Sequence, residues 1–187
     1  AEGALVEGTT SGQGKAGSIS INADTLTITE GSSILTSALS SGQAGEIVLN
    51  LTDSLKLSES AILANTTPDS TGDGGDISID STKVTLTDGS AIAVSSEGQG
   101  NGGNIFLSAG DLFLDLASEV SAITASGQGG NMTFNIANLF SLRNNSPIST
   151  TAGGTGNGGN INLSTEFFLA RDCLLYTSDA ADECLCV

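Results

Sequence analysis

The sequence predicts an all-β fold, a parallel β-helix of about five complete three-stranded coils with about 28 residues per coil. Three observations predict it. A glycine recurs at Gly17, Gly45, Gly75, Gly103, Gly130 and Gly159, spaced by 28, 30, 28, 27 and 29 residues. Apolar residues follow each glycine in strict alternation, and a serine introduces a further apolar position before the next glycine. A fixed period of this length signals a stacked architecture, in which one unit cannot bury its apolar face alone and neighbours complete the core.

The first strand of each coil starts two residues after its glycine. It presents Ile19, Ile47, Ile77, Ile105, Met132 or Ile161, and two residues later Ile21, Leu49, Ile79, Leu107, Phe134 or Leu163. The second strand carries the pairs Leu26 and Ile28, Leu55 and Leu57, Val84 and Leu86, Leu112 and Leu114, and Phe140 and Leu142. The third carries Ile34, Ile62, Ile92, Val120 and Ile148, each two residues after Ser32, Ser60, Ser90, Ser118 or Ser146. Period-two alternation puts each series on one face of a strand, and stacking turns each series into an aliphatic ladder. Coils spaced by the strand separation of ~4.8 Å make a rod only ~25–30 Å long, so the chain reads as a piece of something longer.

The connections are rich in glycine: Ser11 to Gly14, Ser41 to Gln43, Pro68 to Gly74, Gly98 to Gly102, Ser126 to Gln128 and Gly153 to Gly158. Glycine suggests reversals with positive φ, and the variable length suggests an exposed edge that tolerates insertion. The chain opens inside a coil, because Glu2 to Val6 aligns with Asp88 to Ile92. Residues 1–170 form the repeat segment.

From Arg171 the composition changes. Cys173, Cys184 and Cys186 are the only cysteines and Tyr176 the only tyrosine. Cys173 to Glu183 resembles the in-frame translation of a transposase-type sequencing adapter. We therefore read residues 171–187 as a non-native, unstructured tail and set it aside from the fold. A native cap is the alternative, since solenoids need capped ends. Without the tail, no disulfide or cysteine–metal site is available to the repeats, and the short Cys184-Leu185-Cys186 pair lacks the histidine or second pair that a metal site needs.

Composition narrows the function. With 38% apolar residues in periodic order, 25 glycines and 2 prolines, the chain is folded rather than a polar linker. A net charge of −16 opposes nucleic acid and anionic membrane surfaces as partners. The longest apolar run is too short to cross a membrane as a helix, and no signal segment opens the chain.

Catalysis in a β-helix needs a cluster, such as paired carboxylates or a base beside a metal. Here Lys15, Lys56, Lys83 and Arg143 occupy different offsets in their coils, and histidine is absent. We expect no catalytic, cofactor or metal residues. Gly72-Asp73-Gly74-Gly75-Asp76 superficially matches the nonapeptide of calcium-binding β-rolls, but the coils are three times too long and other coils place Asn104, Asn131 and Asn160 where this one has Asp76. Those asparagines could form an amide ladder along the stack or serve as turn residues. Glu2, Glu30, Glu59 and Asp88 precede the third strand and read as a solvated rim, with bound cations as the rival.

Gly-x-Gly-x-Gly-Gly-Asn-Ile-x-Leu at Gly98 to Leu107, the second alternating pair and the Ser-x-Ile element together resemble the repeat region of filamentous-haemagglutinin-like exoproteins of two-partner secretion systems, especially the glycine- and asparagine-rich cyanobacterial forms. The resemblance covers residues 1–170, and Ile148 to Leu163 looks particularly similar. It implies a right-handed parallel β-helix and export in unfolded form through an outer-membrane transporter that recognises a secretion domain not present here. It also implies an adhesive or filamentous, non-catalytic role at the surface of a Gram-negative-type bacterium, with surface carbohydrate or other cells as partners. A segment without cysteine is suited to such export, since no disulfide can lock it beforehand. A stalk that spaces a distant binding domain, a carbohydrate-active lyase or hydrolase-like domain, and a calcium-binding module are the alternatives.

Overall fold

The structure, a computed structural model, describes residues 3–172 and 175–178. Its strands run in chain order as β1 (Leu5–Thr10), β2 (Ile19–Ile28), β3 (Ser33–Ala38), β4 (Ile47–Ser58), β5 (Ala61–Thr66), β6 (Ile77–Thr87) and β7 (Ala91–Ser96). These are followed by β8 (Ile105–Leu114), β9 (Glu119–Thr124), β10 (Met132–Arg143), β11 (Ile148–Ala152), β12 (Ile161–Arg171) and β13 (Leu175–Ser178). No helix interrupts them among the described residues. All pairing is parallel: the even strands make one sheet in the order β12-β10-β8-β6-β4-β2, and the odd strands make the other, β1-β3-β5-β7-β9-β11-β13. The chain is a β-solenoid of about six turns.

The predicted ladders are in register. Ile19, Ile47, Ile77, Ile105, Met132 and Ile161 are successive Cα partners. So are Val6, Ile34, Ile62, Ile92, Val120 and Ile148 in the other sheet. In the middle coils these side chains are fully buried, each burial contributing ~1.5–3 kcal/mol. Phe134 and Phe140 face each other across one coil with centroids 5.3 Å apart, and Phe140 meets Phe168 of the next edge-on at 5.5 Å. Among the described residues the single ion pair is Arg171 with Asp172 at 3.8 Å, on the surface, where such a pair adds little. Burial and backbone hydrogen bonds hold the rod together.

The first and second predicted strands are not separate. They run on as one long strand, bent where the pairing register slips, between Asn50 and Ser54 in β4 and between Ile136 and Leu139 in β10. One residue turns the corner in β2 (Asp24), while β4 uses two (Thr52 and Asp53). This accounts for part of the uneven repeat spacing. Because the corner takes one or two residues, the main-chain hydrogen bonding resumes at once and the ladder runs through it.

The corner between the long strand and the short one uses left-handed backbone. Glu30 and Gly31 have φ of 58° and 72°, Asp88 and Gly89 58° and 70°, and Asn144 and Asn145 48° and 58°. Glycine meets that requirement without strain. In one coil Leu116 and Ala117 adopt 53° and 60°, where a Cβ costs ~1–2 kcal/mol per residue. Ala117 is exposed, and its N–H donates to the Asn144 carbonyl as a glycine would. Ala117→Gly is therefore expected to stabilise the rod by ~0.5–1 kcal/mol, the relief being partly offset by the freer unfolded chain. A thermal melt checks it, and a lowered midpoint would contradict the turn assignment.

The serines before the short strands cap this corner. Ser90 N–H donates to Ser118 Oγ at 3.2 Å and Ala4 N–H to Ser32 Oγ at 3.0 Å, while Ser118 Oγ–H returns to the Asp115 carbonyl at 2.8 Å. Ser90 and Ser118 are completely buried with their hydroxyls on main-chain carbonyls, whereas Ser146, equally buried, leaves its Oγ without a partner among the described residues.

Strand pairing runs past the repeat segment of residues 1–170: β12 stays paired with β10 through Arg171, and Leu175–Ser178, expected to be unstructured, adds to β11 as β13, with Ile148 opposite Leu175. A sheet edge offers unpaired main-chain groups whatever sequence follows, so strand addition does not depend on the repeat pattern. Cys173, Cys184 and Cys186, like Glu2, lie outside the described residues.

Candidate functional site

Two longitudinal surfaces carry chemistry. The first is the glycine-rich turn column. Among the described glycines only Gly31, Gly89 and Gly154 have φ in the left-handed range, so positive φ does not explain the column at Gly17, Gly45, Gly75, Gly103, Gly130 and Gly159. Close approach does. A Cβ on Gly45, Gly75, Gly103, Gly130 or Gly159 would collide with the carbonyl oxygen of the column's preceding glycine. A second column, Gly14, Gly42, Gly72, Gly100, Gly127 and Gly156, stacks in the same way.

Nor are these turns free loops. Ala44 N–H donates to the Asp73 carbonyl at 3.1 Å, Gly74 to Asn101 at 2.9 Å, Gly102 to Gln128 at 2.9 Å and Gly129 to Asn157 at 2.8 Å. Such laddering leaves little room for insertion. The exposed Pro68 and Asp69, in the longest connection, are where extra chain is accommodated.

The amide ladder is present. Asp76 Oδ1 accepts from Asn104 N–H at 2.7 Å and from Asn104 Nδ2 at 3.0 Å. Asn104 Oδ1 accepts likewise from Asn131 at 3.0 and 3.3 Å, and Asn131 Oδ1 from Asn160 at 3.0 and 3.0 Å. Asp73, Asn101 and Gln128 form a parallel series, with Asn101 N–H on Asp73 Oδ1 at 2.7 Å and Gln128 N–H on Asn101 Oδ1 at 3.0 Å. The aspartates of the β-roll-like stretch thus serve as acceptors at the base of two ladders. Asn131→Ala removes the Nδ2 bond to Asn104 and both bonds that Asn160 makes to its Oδ1, while its own N–H stays on Asn104, and is expected to cost ~1–2 kcal/mol. Chemical denaturation would read this as a lower midpoint at unchanged slope, and an unchanged midpoint would make the ladder decorative.

The second surface is an open groove of about 1030 Å³ along the bend of the long strands. Asn22, Asn50, Asp80 and Ser108 form one rail, one residue per coil. Asp24, Thr52, Thr82 and Gly110 form the other, and Ala23, Leu51, Ser81 and Ala109 form the floor. Asn50 Nδ2 donates to Asn22 Oδ1 at 2.9 Å, Thr52 Oγ1 to Asp24 Oδ1 at 2.6 Å and Thr82 Oγ1 to the Thr52 carbonyl at 3.0 Å. Among the described residues Asp80 and Ser108 have no side-chain partner. Sequence reasoning missed this groove. Its residues lie at the interruption between the first two alternating pairs, which reads as a gap in the pattern.

The basic residues do not converge. Lys15 lies beside the glycine turns; Lys56 and Lys83 stand in different outward columns, Lys83 with its Nζ 5.0 Å from the Phe113 ring centroid; Arg143 is exposed beside Arg171. Glu30, Glu59 and Asp88 are exposed at the left-handed corner, where Asp88 Oδ2 accepts from Ser58 Oγ at 2.8 Å. Among the described residues no group of three or more His, Cys, Asp or Glu side chains is placed to hold a metal ion.

A β-solenoid with stacked polar turns and a lengthwise groove is a fold compatible with an adhesin-like repeat segment. No family model matches the chain, and no curated protein or solved structure matches it.

Proposed function

We propose that this segment is a stiff, non-catalytic display rod from a secreted, surface-associated exoprotein of the filamentous-haemagglutinin type. In this reading an outer-membrane two-partner secretion transporter exports it in a larger protein that carries the secretion domain. The observation that carries the reading is the regular column of polar side chains on the turns, Lys15 followed by Gln43, Asp73, Asn101, Gln128 and Asn157, one per coil. Weak polar contacts at fixed spacing sum through multivalency. Neighbour-only packing also lets coils add one after another as a chain emerges from a pore.

The carbohydrate-active alternative finds Asp24 and Asp80 in the groove, but on opposite rails and two coils apart, and a carboxylate pair works as acid and base only where both flank one scissile bond.

The test places residues 1–170 behind a two-partner secretion domain in a Gram-negative host carrying the matching transporter. The expected result is protease-accessible protein at the cell surface and increased adherence of the cells. Retention in the periplasm, or export with no gain in adherence over the secretion domain alone, would count against the reading.

A further inference from the structure

We propose that the groove along the bend of the long strands binds an extended, neutral polysaccharide, about one sugar ring per coil. The proposal rests on the display-rod reading only for its biological setting, since the groove is described independently of export. Its rails repeat with the strand separation of ~4.8 Å, close to the rise of an extended β-linked hexose chain. Both hydrogen-bonding senses are available: Asn22 Nδ2 can donate, while Asn50 Oδ1, Asp80 and the second carboxylate oxygen of Asp24 can accept, and none of these has a hydrogen-bond partner among the described residues. Sugar hydroxyls both donate and accept, so a mixed rail suits them. The floor is low because Leu51 and Ala109 turn their side chains into the core and Ala23 packs against it, which leaves room between the rails for a ring to lie.

Charge and spacing select among occupants. The acids of the groove and the net charge of −16 repel polyanions. A peptide rises ~3.3 Å per residue when extended and falls out of step with the coils. Strand addition is also closed to it here, because the long strands already pair on both sides in the middle coils.

Titration calorimetry of the purified chain with cellohexaose or xylohexaose should show weak saturable binding. Maltohexaose, which coils, and hexagalacturonate, which is anionic, should show none. Asn50→Ala and Asp80→Ala, both at exposed positions, should each weaken binding about tenfold, the loss of one or two hydrogen bonds. Asp80→Asn should retain most of it, and Thr85→Ala, outside the groove, all of it. Cooperative melts of each variant show that the fold survives. Absence of binding, equal binding by the groove variants, or preference for hexalysine or hexagalacturonate would overturn the proposal. Release of new reducing ends would leave groove binding intact and overturn the non-catalytic reading instead. Glycan binding without surface export would likewise leave groove binding intact and sink the display reading alone.

Discussion

Ile92→Asp is expected to abolish the cooperative unfolding transition of the rod. Ile92 is fully buried in β7, between Ile62 of the preceding coil and Val120 of the next. The substitution removes ~1.5–3 kcal/mol of apolar burial and leaves an unpaired carboxylate whose desolvation costs several kcal/mol more. Because each coil contacts only its neighbours, a broken interface in the middle leaves two short stacks instead of one. The paired control, Gln99→Asp, lies on an exposed turn and should shift stability by no more than ~0.5 kcal/mol. Circular dichroism melts of both variants against the parent decide the matter, and similar effects would mean that the ladder is not the core.

Gly103→Ala should be nearly as damaging, although it adds one methyl group to a turn. Its Cβ would fall on the Gly75 carbonyl oxygen, which is backbone and has no rotamer to change. Relief would require separating two coils where Gly74 N–H donates to Asn101 and Ile77 N–H to Asn104, both at 2.9 Å. Overpacking of this kind costs ~1–3 kcal/mol, and lost ladder bonds add to it. Gly12 has open space around the corresponding position, so Gly12→Ala should be neutral or stabilising by ~0.5 kcal/mol. If the two substitutions behaved alike in urea unfolding, glycine in this column would have some origin other than close stacking.

The contrast between these two glycines shows where sequence reasoning reached and where it stopped. Glycines at a 28-residue period announced the stack, yet nothing in the sequence separates an unconstrained glycine such as Gly12, or one with left-handed φ such as Gly89, from one required for lack of a Cβ. That distinction depends on an atom of the preceding coil, some 28 residues away in the chain. The same holds for Asn104, Asn131 and Asn160, for which turn and ladder roles stood equal until the distances between coils were known. The strand at Leu175–Ser178 was not legible for a related reason: apolar pattern measures burial, whereas β13 pairs through main-chain groups present in any sequence.

The sequence by itself determined the all-β class, the coil period, the inward ladders and their register, because period-two alternation and a fixed repeat leave one stacking that buries every apolar series. Only the tertiary structure decided that two predicted strands run on as one bent strand, that the glycine turns are close-packed columns, and that the bend carries a lengthwise groove lined by Asn22, Asn50 and Asp80. Those features arise from distances between residues one coil apart, set by the strand separation of ~4.8 Å and by the one- or two-residue corner at Asp24 or Thr52-Asp53, and a linear pattern encodes neither.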